Sequence, residues 1–322
     1  MRAVVCPAYG PPEVVRVENR PVPTPAPGRV RVRVGAAAVN FPDVLLIAGE
    51  YQISVPPPFV PGSEFAGVIT ELGDRVDGVA IGDRVTGTGL YGAFAEEIIV
   101  SAEKLTRTPD DIDDRTAAAF GVAHRTAYHT LRSVARVSAG DRLLVLGAGG
   151  GVGLAAVQLG ALLGAEVTAV ASSTEKLTTA AAYGATRLVD RRTGDFRREL
   201  RAVLPDGADA VVDPVGGTLA EPALRALRRG GRYVTVGFAS GNIPQIPLNL
   251  VLVKGIHILG FQFQDIAADE FQRNESELAD LFATGRVRPH IDSVVPLDRT
   301  AGALRTVADG RAIGKVVIDV VA

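Results

Sequence analysis

Cysteine is almost missing. Cys6 is the only one in 322 residues, so no intrachain disulfide can form and a four-cysteine zinc lobe is excluded. A reducing compartment fits that usage. Lysine is scarce as well, standing only at 104, 176, 254 and 315, and arginine supplies nearly all other positive charge. No apolar run approaches the roughly 20 residues that cross a bilayer. The chain enters a strand-like segment at Arg2 without a leader pattern, so neither a signal peptide nor a transmembrane helix is expected, and the expected location is cytoplasmic. Like charges form no block, and a net charge of −2 with a pI near 6.1 gives no reason to expect nucleic acid or an anionic membrane as partner. What is present is the composition of a soluble globular chain, 47% apolar and 22% charged, of a length that suggests two domains.

The stretch 142–173, RLLVLGAGGGVGLAAVQLGALLGAEVTAVASS, organises the rest. It holds an apolar run at 143–146, a five-residue turn with four glycines, a helical apolar pattern (Leu154, Val157, Leu159, Leu162) and a second apolar run at 167–171. That order is strand, loop, helix, strand: a βαβ unit whose glycine-rich first turn suits a dinucleotide pyrophosphate. Side chains are absent where phosphates must approach, and the helix N-terminus adds its positive dipole end. Gly150, Gly151, Val152 and Gly153 are therefore expected to touch the pyrophosphate through their N–H groups, with alanine at the first fingerprint position, Ala148-x-Gly150-x-x-Gly153. About 20 residues on, an NAD-preferring chain carries Asp or Glu. Here Ser172 stands in that place, followed by Ser173, Thr174, Glu175 and Lys176, and Arg191 follows the strand expected at 187–189. Two hydroxyls and two cations without the carboxylate favour NADPH, with an ordinary solvated surface residue as the alternative for either cation.

Taken in order, residues 1–100 read as short strands (2–5, 14–17, 30–34, 66–72, 83–86, 94–100) between prolines and Gly-Asp turns, with one helix at 42–48. That spacing suggests a β-barrel-like domain. Helices are expected at 113–120 and 123–135, with the domain boundary near 122. After the βαβ unit, strands at 208–212, 232–236 and 255–261 alternate with a helix at 218–227 and a turn at 248–253, which means a doubly wound parallel sheet. From 263 the pattern changes to helix (267–282), strand (293–295), helix (299–308) and strand (315–321), a tail expected to complete the first domain.

These residues, with Ala38-Val-Asn-Phe-Pro-Asp43, Pro61-Gly-Ser-Glu64, Asp213-Pro-Val-Gly-Gly217, Gly237-Phe-Ala-Ser-Gly241 and Gly314-Lys-Val-Val317, resemble the medium-chain dehydrogenase/reductase superfamily, and within it the zinc-independent quinone oxidoreductases to which zeta-crystallin belongs. The resemblance covers nearly the whole chain. It implies an α/β protein: a GroES-like β-barrel-type catalytic domain at 1–122, completed by 263–322, a Rossmann domain at 123–262 that binds NADPH in the cleft between them, and a homodimer through the Rossmann edge strand at 255–262, from Gly255 onward.

The resemblance also lets zinc be tested by position. Zinc-dependent relatives hold the metal through a cysteine, a histidine in Gly-His-Glu and a further cysteine or acid; the corresponding positions here are Asn40, Ser63 and Val122. None is a good zinc ligand. Glu64 alone survives of that motif, and the metal-ligand set is expected to be none. Without a Lewis acid, alcohol oxidation lacks a group to polarise the alkoxide, whereas a quinone or enone delocalises the charge that hydride transfer creates. The implied reaction is hydride transfer from NADPH to a quinone, with enone or enoyl reduction as the alternative and a non-enzymatic nucleotide- or RNA-binding role as a remoter one. Asn40 is then expected beside the nicotinamide ribose and substrate, and Tyr51 at the pocket mouth, either donating to the carbonyl or merely packing its ring. Thr126, Gly237, Phe238 and Ser240 are expected along the cofactor, with Phe261 and Gln262 offering backbone to the carboxamide. The four histidines lack ligand spacing, with His124 and its neighbour Arg125 kept as substrate-side alternatives, and Lys315 either reaches the cofactor or solvates the last strand.

Overall fold

The computed structural model describes residues 1–192 and 194–321; Thr193 and Ala322, the last residue of the expected closing segment, lie outside them. The chain divides into two compact units, Met1–Ala123 with Arg288–Ala322, and His124–Val287.

The first unit is built on a seven-stranded sheet. Its path runs Ile291–Pro296, Lys315–Asp319, Arg29–Val39, Glu64–Leu72, Arg84–Thr88 and Leu105–Arg107, with Glu97–Ser101 also paired to Arg29–Val39. The alternation Val30-Arg-Val-Arg-Val34 is a period-two pattern, and the three valines are fully buried while the arginines face outward. Arg31 meets Glu71, its partner in register on the next strand, at 2.6 Å. Burying each valine contributes about 1.5–3 kcal/mol. The C-terminal strand Lys315–Asp319 lies antiparallel to Arg29–Val39, with Val316 opposite Val39. That register sets Lys315 beside Asn40, the residue that opens the helix Phe41–Ala48. Gly49 closes this helix at φ +74, in the left-handed region that glycine adopts without strain.

The second unit is a six-stranded, wholly parallel sheet in the order Arg187–Asp190, Glu166–Ala171, Arg142–Leu146, Ala208–Asp213, Leu227–Thr235, His257–Gly260. This is the doubly wound order with its switch point between Arg142–Leu146 and Ala208–Asp213. The protein is thus an α/β chain with a GroES-like unit and a Rossmann unit. Near-continuous apolar runs are what strands buried on both faces require, and Leu143, Leu144, Val145, Val211 and Val212 are all at 0% exposure.

Two expectations are corrected. Residues 248–253 form a helix, Leu248–Lys254, rather than a turn; Gly255 caps it at φ +57. The return to the first unit comes at Arg288 instead of Phe263. The helix Ala268–Ala283 stays with the second unit because polar contacts bind it to the segment 125–133. Glu275 accepts from Arg125 at 2.8 Å and lies 2.7 Å from His129 Nε2, Glu277 accepts from Tyr128 at 2.7 Å, and Asn274 donates to Ser133 at 2.9 Å. Phe271 stacks on the His129 ring, centroids 4.7 Å apart. Arg125 lies over Phe263 and Phe271 as well, so it is held here rather than offered to a substrate.

Candidate active site

Because all six strands of the second unit are parallel, their C-terminal ends share one edge; Asp213 ends its strand there, and the glycine turn, Ser172, Arg191, Gly237 and Phe261 follow the ends of theirs. At the switch point the turns after Leu146 and Asp213 are in contact: Gly147 has φ +62, and a Cβ there would meet Val215 Cγ2 at 2.6 Å. Gly153 has no room for a side chain either, since a Cβ would sit 2.1 Å from Gly147 O. The helix Gly151–Leu162 begins with no side-chain cap. Its opening amides at Gly151, Val152 and Gly153 therefore form the donor set expected for a phosphate. Gly150 differs from that expectation, because its N–H already donates to Gly147 O at 2.9 Å.

Ser172 is half-buried at the end of Glu166–Ala171. Ser173 is engaged as N-cap of the helix Thr174–Ala182, its hydroxyl accepting from Lys176 N at 3.3 Å. The Lys176 methylenes lie across Gly149, where a Cβ would approach them to 2.6 Å. Arg191 is exposed, and its N–H donates to Ala171 O at 3.0 Å, which brings it to the same strand end as Ser172. Two acids stand in this corner: Glu175, within reach of Ser173 and of the Arg192 charge, and Asp190, which is clamped by Arg192 at 2.7 and 3.1 Å, so that this guanidinium holds its carboxyl down at about 2. Asp213, quoted above only within a motif, is a fully buried organiser: it accepts from Val215 N at 2.7 Å, Gly216 N at 2.8 Å and the Tyr233 hydroxyl. Gly216 and Gly217 let this turn pack on Phe238 and Ser240, whose nearest atoms would lie 2.9 and 2.7 Å from an added Cβ. Gly237 N–H points back to Asp213 O at 3.4 Å, Phe261 N–H donates to Thr235 O at 3.2 Å, and Gln262 O accepts from Asp265 N at 3.3 Å. Thr126 is half-buried within the helix Gly121–His129.

In the first unit Asn40 belongs to a buried polar cluster. Lys315 Nζ donates to Glu64 Oε1 at 2.6 Å, Asn40 Oδ1 at 2.5 Å and Val39 O at 3.1 Å. Asn40 Nδ2 donates to Glu64 Oε1 at 2.8 Å and Ser63 Oγ at 3.1 Å, and Glu64 Oε2 accepts from Val122 N at 2.7 Å. Asp43 Oδ2 accepts from Asn40 N at 2.7 Å. Burial dominates Asp43, pushing its carboxyl up to about 7 against the pull of the Asn40 N–H and the Lys315 charge. Lys315 does not solvate the last strand: it is 3% exposed and ion-paired to Glu64 within the unit. Tyr51 is half-buried and packs its ring on the first unit's core.

Residues 26–110 match the family described as alcohol dehydrogenase GroES-like domain, and residues 151–283 that described as zinc-binding dehydrogenase. Quinone oxidoreductase-like protein 2 of Bos taurus is 35% identical over 98% of this chain and 92% of its own length. The chain belongs to the medium-chain dehydrogenase/reductase superfamily. Its place in that superfamily is beside quinone oxidoreductase-like proteins, and it is an NAD(P)-dependent oxidoreductase. A solved structure described as an NAD-dependent alcohol dehydrogenase is 33% identical, with TM-score 0.91 over 99% of this chain and 100% of that one. The Escherichia coli quinone oxidoreductase complexed with NADPH is 25% identical, with TM-score 0.91 over the same shares.

The superfamily implies two groups to be tested against these residues. A dinucleotide fits the second unit, where Gly147 and Gly153 leave no space for side chains and the helix opens uncapped. Zinc does not fit the first unit. Asn40 Oδ1 and Glu64 Oε1 both face the Lys315 ammonium, Glu64 Oε2 faces an N–H, and a dication placed among them would meet a buried positive charge. The signal for this is in the sequence, since Lys315 opens the apolar run Val316-Val317-Ile318.

Proposed function

We propose that the chain reduces a quinone with NADPH and uses no metal. The observation that carries this reading is the Lys315–Glu64–Asn40 cluster: the locus that corresponds to the metal site of zinc-dependent relatives is closed by an internal ion pair. Bound NADPH supplies the hydride; the chain's work is to hold and orient. The Gly151, Val152 and Gly153 amides receive the pyrophosphate. Ser172, Lys176 and Arg191 receive the 2′-phosphate, in the corner where Arg192 already neutralises Asp190. Thr126, Gly237, Phe238, Ser240, Phe261 and Gln262 contact the nicotinamide half. Asn40, whose amide is fixed at both ends, orients the ribose and acceptor, and Tyr51 donates to the acceptor oxygen. Charge spread over a quinone ring asks only for such positioned donors.

A homodimer belongs to the same proposal. Among the described residues His257–Gly260 is an edge strand with one side unpaired, and near it in sequence Leu248, Leu252 and Val253 are 75%, 84% and 63% exposed. Strand edges and apolar patches of this kind are what a second copy covers. Among the described residues no helix is long and apolar enough to cross a membrane.

The test is NADPH oxidation against a panel of quinones and enones, with NADH and a chelator as controls. Quinone turnover that prefers NADPH and ignores the chelator supports the reading. Turnover with enones or enoyl thioesters alone replaces it with double-bond reduction, and loss of activity to the chelator overturns the metal-free claim.

A further inference from the structure

The chain as a whole is mildly acidic, yet one cavity of about 370 Å³ in the second unit is lined by Arg197, Arg201, Arg225, Arg228, Arg229 and Lys254, with Asp206 as its only lining acid. It lies at the opposite edge of the sheet from the glycine turn. Leu227 and Gly207, which line it, sit at the N-terminal starts of Leu227–Thr235 and Ala208–Asp213, whereas Asp213 and Thr235 end those strands. At about 3.3 Å per residue the strand Ala208–Asp213 separates the two edges by roughly 16 Å.

Two of the six cations are matched locally: Arg225 by Glu221 at 2.7 Å, and Arg228 by Asp209. Asp206 is itself turned toward Arg142, at 3.7 Å. Among the described residues Arg197, Arg201, Arg229 and Lys254 have no carboxylate partner. Several of the groups are also fixed in place. Lys254 Nζ donates to Arg225 O at 2.7 Å and to Leu227 O, Arg229 donates to Val253 O at 2.7 Å, and Arg228 to Arg229 O at 3.1 Å. Arg197 and Arg201 are four residues apart on the helix Phe196–Val203, a spacing at which like charges repel. Burial and the Arg225 charge together hold the Lys254 ammonium below its usual range. Fixed cations gathered in a concavity without their own acids are arranged for an external anion, and guanidinium forks suit phosphoryl and carboxylate groups alike.

We propose that this cavity is a second anion site, separate from the dinucleotide site, for a small molecule carrying two or more phosphoryl or carboxylate groups. Calorimetric titration of the full chain with pyrophosphate and with citrate, each in the presence of saturating NADP⁺, tests it. Expected is saturable binding of at least one of them, one per chain, weakened at least about tenfold in Arg197→Ala/Arg201→Ala, as loss of one or two charge-assisted contacts implies. Which anion binds tells a phosphate ester from a polycarboxylate. Hydrogen exchange on the wild-type protein is an independent readout, because bound anion should protect peptides spanning 197–206 and 225–229. Absence of saturable binding by either anion, binding unchanged in the double variant, or protection confined to the glycine turn would each overturn the proposal.

Discussion

Lys315 Nζ lies 2.6 Å from Glu64 Oε1, and the two side chains are 3% and 1% exposed. One is contributed by the last strand of the sheet and the other by a strand from early in the chain, so the pair ties the C-terminal segment to the first unit. Two charges removed from water cost several kcal/mol each, and here that cost is offset by mutual attraction and by hydrogen bonds from Asn40 and Val122. Removing one partner leaves the other charge buried alone. Lys315→Met is therefore expected to lose about 3–5 kcal/mol of stability. Lys315→Met with Glu64→Gln should recover much of that loss, because no uncompensated charge remains. Denaturant titrations of the two singles and the double close the cycle; additive effects would show that the pair is not coupled.

Asp43 gives the stability of the first unit a pH dependence with a definite sign. Its carboxyl is raised from 3.8 to about 7 by burial, so the folded chain holds a proton that the unfolded chain has released. Stability from this group is complete below about pH 4 and falls as pH rises toward 7, since the folded state then binds more protons than the unfolded state. In Asp43→Asn the amide oxygen still accepts from the Asn40 N–H while nothing titrates. The melting temperature of the wild type relative to Asp43→Asn should therefore drop between pH 5 and about 7.5, and a gap constant across that range would refute the assignment.

The periodicities legible in the sequence were those that packing enforces on both faces of a sheet. The run Leu143–Leu146 and the Val30-Arg-Val-Arg-Val34 alternation lie on the strands they predict, and the glycine turn lies between its strand and its helix. The zinc comparison singled out Asn40, Ser63 and Glu64, which do gather in one cluster. What sequence could not show is pairing across distance. Nothing local says that Lys315 answers Glu64, 251 positions away, or that Glu275 and Glu277 bind Arg125, His129, Tyr128 and Arg132 and so keep 263–287 with the second unit. The helix Leu248–Lys254 is hard to tell from a turn in the sequence because its seven residues are mostly apolar, with Leu250 buried and Leu248 and Leu252 exposed, and show no amphipathic stripe.

The proposed reading rests cofactor choice on one exposed cation, Arg191, and the half-buried Ser172 and Lys176, and is open to direct test. Arg191→Ala and Lys176→Ala each remove a cation from the corner that holds Ser172 and where Arg192 clamps Asp190. A charge-assisted hydrogen bond is worth about 1.5–3 kcal/mol, so each variant should lower kcat/KM for NADPH roughly tenfold or more. NADH lacks the 2′-phosphate and its kcat/KM should hardly move. Equal losses with both cofactors would place these cations elsewhere in the reaction.

Two glycines of the same turn are expected to fail in different ways. At Gly153 a Cβ would meet backbone, 2.1 Å from Gly147 O and 3.0 Å from Ala148 Cα, and backbone cannot step aside without moving the helix off the strand. Gly153→Ala should therefore cost about 1–3 kcal/mol of stability, as overpacking does. It should also raise KM for both cofactors, because the Gly151, Val152 and Gly153 amides shift together. At Gly149 a Cβ would meet Lys176 Cβ and Cγ, both at 2.6 Å, and since that Cβ is fixed to the first turn of the helix Thr174–Ala182, relief requires the helix start and its lysine to shift. Gly149→Ala should therefore lower the melting temperature too, but weaken NADPH more than NADH, through the displaced ammonium. Steady-state kinetics with both cofactors, beside thermal melts, separate the two outcomes; matching profiles for the two variants would mean that the turn yields as a single unit and that Lys176 has no part in reading the 2′-phosphate.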